Sequence, residues 1–91
     1  MSKRKKQEFV VDLAGVNRSR ALHARLCRAL PMPEGYGRNY DALYDVLTEY
    51  GPVWRLVFRN ASAVPKLFRT VCADAVAATP GLEIVFAKAG A

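Results

Sequence analysis

Asp41, Asp45 and Glu49 recur at every fourth position of the segment YDALYDVLTEY, and Tyr40 and Tyr44 stand beside them. If the segment is helical, the three carboxylates share one side. Leu43, Val46, Leu47 and Tyr50 gather on the other side with Ala42 at its edge, and must face a core. Two carboxylates one turn apart could in principle work as a general acid and base. The sequence supplies no nucleophile, glycine-rich phosphate loop or metal partner to act with them, so an enzyme is not expected and no cofactor is implied. A rigid row of carboxylates beside aromatic rings is instead complementary to a cationic surface. Asp41 also has a structural reason to be there, because an anion in a first turn is favoured by the helix dipole. Asp45 and Glu49 have none. Like charges at i,i+4 cost about 0.2–0.5 kcal/mol per pair, and Glu49 sits where a helix end prefers a cation. A solvated helix face and an interaction surface both remain open on these grounds.

The charge around the segment runs the other way. The chain has 91 residues and a net charge of +6. Residues 31–52 hold Glu34, Asp41, Asp45 and Glu49 against the single base Arg38, a local charge of −3 that leaves +9 elsewhere. Lys3, Arg4, Lys5 and Lys6 fall in a basic N-terminal stretch, read as a mobile tail over residues 1–7 ahead of a single domain over 8–91. Together with Arg18, Arg20, Arg25 and Arg28, those bases offer the alternative of a nucleic-acid-binding module. No aromatic-rich strand motif accompanies them, so nucleic acid is the weaker reading.

The elements that must position the acidic row are short. EFVVDL (8–13) and WRLVFR (54–59) read as strands, as does LEIVFA (82–87). Ser19 is a candidate N-cap for RALHARLCRAL, where Leu22, Leu26, Ala29 and Leu30 share a face and Pro31 and Pro33 enforce the stop. PMPEGYGR is a loop. Asn39 is the candidate cap of a helix over 40–50, ended by Gly51-Pro52. A third helix is expected from Asn60 or Ser62 to about Thr79, with Pro65 in its first turn and Val64, Leu67, Phe68, Val71, Cys72 and Ala75 on one face. Strands alternating with helices imply an α/β fold: a small two-layer domain with a three-stranded parallel sheet packed against helices.

Apolar residues make up 52% and charged residues 24% of the chain, a globular composition. No apolar run approaches the roughly 18–20 residues of a membrane span, and no secretory signal follows the basic start. A cytoplasmic protein is expected. Cys27 and Cys72 read as reduced core thiols, without the spacing of a metal site. His23, the only histidine, reads as a surface or half-buried structural residue.

The run Pro33-Glu34-Gly35-Tyr36-Gly37-Arg38-Asn39-Tyr40-Asp41-Ala42-Leu43-Tyr44-Asp45 resembles the signature of the barstar family. In that signature a proline-acid-aromatic-glycine loop leads through asparagine into an Asp-Ala-Leu-aromatic-Asp helix. The order of the flanking elements is similar as well, from Glu8 onward. The resemblance implies a monomeric inhibitor of a secreted guanyl-type ribonuclease, giving immunity to the cell that makes the enzyme. Its acidic helix and preceding loop would enter a basic cleft. By the same resemblance Asp45 is the main phosphate-mimicking carboxylate and Asp41 a second charged contact. Asn39, Tyr40 and Tyr44 match contact positions, Glu49 extends the row, and Asp74 on the third helix matches a further acidic contact. Gly35 and Arg38 occupy loop contact positions where the best-known member has an aromatic residue and an acid. A scaffold reassigned as a protein-interaction adaptor is the other reading compatible with the resemblance.

Overall fold

The computed structural model describes residues 6–87. In chain order the elements are β1 (Gln7–Asp12), α1 (Ser19–Ala29), α2 (Tyr40–Tyr50), a single 3-10 turn at Gly51–Val53, β2 (Trp54–Arg59), α3 (Lys66–Ala78) and β3 (Glu83–Ala87). The three strands form one parallel sheet in the order β1-β2-β3, so β2 is central and each connection crosses over through helices. This is the small α/β architecture that the alternation of elements predicts. Most of the expected basic tail, residues 1–5, and the final residues 88–91 lie outside the described residues. Lys6 and Gln7, counted with that tail in the sequence, are described. Gln7 opens β1 opposite Trp54, and the Lys6 ammonium donates to the Gly81 carbonyl and pairs with Glu83.

β2 alternates strictly, with Trp54, Leu56 and Phe58 buried and Arg55, Val57 and Arg59 turned to the opposite face. Val11 and Leu13 continue the buried layer, and α1, α2 and α3 cover it with Leu22, Leu26, Leu43, Leu47, Phe68, Cys72 and Ala75. The other sheet face carries a charge ladder, in which Arg55 bridges Glu8 at 3.0 Å and Glu83 at 2.9 Å. Val10 is 55% exposed on that face. Parallel sheets are usually covered on both sides; here the second face carries the charged rows Glu8-Arg55-Glu83 and Asp12-Arg59 on either side of a row of Val10, Val57 and Val85. Cys27 and Cys72 are both free, and burial pushes the Cys72 thiol up to about 12, which makes it an inert core residue.

The boundaries differ from the sequence pattern where side chains outside the local window intervene. β1 and β3 each lie within one residue of expectation. α3 begins at Lys66, not at Asn60 or Ser62. Asn60 takes a left-handed conformation (φ 58°) and its Nδ2 donates to Asp12 Oδ1 at 2.8 Å, while Pro65 stands just before the helix and keeps Val64 out of it. Leu67, placed on the core face by its spacing, is 53% exposed. Tyr50 is likewise at the rim, 40% exposed and stacked on Trp54 with ring centroids 6.1 Å apart.

The turn between α3 and β3 depends on Gly81. Its φ is +98°, and a Cβ there would meet the Pro52 carbonyl oxygen at 2.7 Å. Gly81→Ala combines left-handed strain with a backbone clash and is expected to cost about 1–3 kcal/mol. Urea unfolding of the two proteins measures the difference.

Candidate functional site

The acidic row is held by a well-anchored helix. Asn39 accepts a hydrogen bond on Oδ1 from the Ala42 N–H at 2.7 Å, the cap expected from the sequence, and Leu43, Val46 and Leu47 bury the inner face. Asp41, Asp45 and Glu49 are all exposed on the outer face. Among the described residues the ion pairs are those of the sheet face, and none involves these three carboxylates.

The loop before α2 folds back to make two concavities, one on each side of Tyr36 and Asn39. The first, of about 240 Å³, is lined by Glu34, Gly35, Tyr36, Asp45, Glu49 and Tyr50 among others. Three carboxylates from two segments therefore surround one hollow with aromatic walls and no basic side chain. Gly35 sits at φ +83°, and nothing lies within 4 Å of a Cβ built there, so the hollow is open at that point. The second concavity, of about 380 Å³, is lined by Ser19, Arg20, His23, Arg38, Asn39 and Tyr40.

The expected site is thus divided. Gly35, Asp45 and Glu49 come together in the acidic hollow; Arg38, Asn39 and Tyr40 face the basic one. Asp41 and Tyr44 lie on α2 and line neither. Asp74 is exposed on α3 and also lines neither. Glu34, counted among the four acids of residues 31–52 but not among the expected contacts, joins the acidic hollow. The signal for it was an acid in the loop beside the helix. Arg38 adopts φ 54°, a left-handed conformation that turns the chain into the Asn39 cap.

The loop is locked to α1 by a polar cluster that spacing does not reveal. His23 is only 2% exposed, more deeply buried than its surroundings in the sequence suggest. Its Nδ1 lies 2.8 Å from the Tyr36 hydroxyl, and its ring is 5.1 Å from that of Tyr40. The Tyr40 hydroxyl in turn lies 2.6 Å from Ser19 Oγ. Ser19 is the first helical residue, and its hydroxyl binds across to the start of α2 instead of capping α1. Burial raises the Tyr36 phenol well above its ordinary value, so it stays protonated.

Burial, and then the Arg38 guanidinium, hold the His23 imidazole below its ordinary pKa. The unfolded chain then binds the proton more readily than the folded one. This contribution to stability is complete above the unfolded value near 6.5 and is lost as pH falls from there toward the lower folded value. Wild type is expected to lose stability between pH 7.5 and 5.5, and His23→Gln to lose less. Urea midpoints at the two pH values check this.

Fold and site together define a small α/β domain with an acidic helix and loop exposed at its surface. Among the described residues no group of three or more His, Cys, Asp or Glu side chains could hold a metal ion, and no helix is long and apolar enough to cross a membrane. A family model described as Barstar (barnase inhibitor) matches residues 6–88. The chain belongs to the barstar family, a family of ribonuclease inhibitors and not of enzymes. No individual curated protein matches the sequence.

Proposed function

We propose that this chain binds a ribonuclease and blocks its active-site cleft with the acidic face of α2 and the loop over residues 33–39. The observation that carries this reading is the enclosure of one hollow by Glu34, Asp45 and Glu49, on a capped and core-anchored helix, in a chain that is otherwise +9. Membership of the barstar family supports it. A nuclease cleft is lined by cationic side chains that hold RNA phosphates, and fixed carboxylates are complementary to it. Asp45 is the central contact, with Glu49 and Glu34 beside it; Asp41, Asn39, Tyr40 and Tyr44 complete the helix side. Gly35 leaves room for an entering side chain, Arg38 stands at the rim, and Asp74 marks the margin on α3. The chain acts as a cytoplasmic monomer on enzyme that has not left the cell.

Barnase is the probe. One equivalent of the chain is expected to suppress its cleavage of RNA, with inhibition weakening as salt is raised. Undiminished cleavage in excess chain would overturn the reading.

A further inference from the structure

The start of α1 has no use in the inhibitor reading, yet it has the features of an anion site. Arg18, at the N-cap position, makes no side-chain cap, and the first turn contains no acid. The Ser19 hydroxyl, which could have capped the turn, is engaged by Tyr40. The helix is 11 residues long, so its leading N–H groups present the positive end of a full dipole. The 380 Å³ concavity opens here, with the guanidinium groups of Arg20 and Arg38 on its rim and, among the described residues, no carboxylate in its lining. The buried His23 supplies an independent sign. Its Nδ1 is taken by the Tyr36 hydroxyl, and its Nε2 has no partner among the described residues. With the phenol donating to Nδ1, the imidazole hydrogen lies on Nε2 and that donor is unmatched. Such a group costs free energy until an acceptor arrives.

We propose that Ser19, Arg20, His23 and Arg38 form a binding site for a phosphate group, held between the start of α1 and the loop that leads into α2. Helix N-termini favour phosphate, and guanidinium groups bind it with paired hydrogen bonds. Arg20 and Arg38 come from different segments, so the ligand ties the loop to α1. The concavity falls at the small end of ordinary ligand sites, roughly 300–1,000 Å³. It admits either inorganic phosphate or the phosphate of a mononucleotide.

The test is a titration of the full chain with inorganic phosphate, and separately with adenosine 5′-monophosphate, at constant ionic strength, followed by amide NMR. Saturable shifts are expected at residues 19–23 and 38–40. Arg20→Ala and Arg38→Ala, both at exposed positions, should each weaken the affinity at least about tenfold. Lys66→Ala, on exposed α3 surface, should leave it unchanged. Tighter binding of the nucleotide would assign the rest of the concavity to a nucleoside, and equal binding would assign the site to phosphate alone. Shifts that never saturate, or an affinity indifferent to both arginine substitutions, would overturn the site. Neither arm involves a nuclease, so the outcome is independent of the inhibitor reading.

Discussion

Asp45→Ala is expected to weaken the complex with barnase by roughly two to four powers of ten, the effect of removing one member of a buried ion pair. Asp45 projects from the middle of α2, where the capped helix cannot shift to compensate, and it faces the same hollow as Glu34 and Glu49. A cationic group of the nuclease that enters this hollow loses water. It must then be neutralised by the carboxylates in place, and without Asp45 part of that charge stays buried and unpaired. Lys66→Ala, away from the loop on α3, should change the affinity little. Isothermal titration of both variants decides between a specific acidic contact and diffuse charge attraction: equal effects would rule out the former. The +9 carried by the remainder of the chain opposes long-range approach to a basic enzyme, so the loss should appear chiefly in the dissociation rate.

The acidic helix was the most legible part of the molecule. Its 11 residues, its Asn39 cap and the exposure of Asp41, Asp45 and Glu49 all follow from a 3.6-residue period and local capping chemistry. β2 was equally plain, because Trp54, Leu56 and Phe58 alternate with charged or smaller residues bounded by Pro52 and Asn60. What escaped depends on partners distant in the chain. Ser19 fits the cap pattern, but a hydroxyl 21 residues later competes for its oxygen. His23 has an unremarkable local context, and only the return of Tyr36 and Tyr40 over α1 buries it. Glu34 became part of the acidic hollow through the fold of a loop in which Gly35 takes a left-handed conformation that no periodicity encodes. The division of the expected contacts into an acidic and a basic concavity has the same origin.

The neighbouring pair Leu67 and Phe68 provides the sharpest test of how α3 is oriented. Both fit an apolar helical face by spacing, yet Phe68 is fully buried and Leu67 is 53% exposed. Phe68 packs edge-on against Phe58 with centroids 5.2 Å apart and against Phe86 at 6.1 Å, joining α3 to the central and outer strands. Phe68→Ala would empty the middle of that cluster and is expected to cost about 3–5 kcal/mol. A domain of this length holds about 5–14 kcal/mol in total, at roughly 0.05–0.15 kcal/mol per residue. The melting temperature should therefore fall by at least about 12 °C, given some 4–8 °C per kcal/mol for chains of this size. Leu67→Ala removes a side chain already largely in water and should stay within about 0.5 kcal/mol of wild type. Thermal unfolding of the two variants measures the contrast. Similar losses would mean that α3 is rotated about its axis, and that rotation would also carry Asp74 away from the position assigned to it.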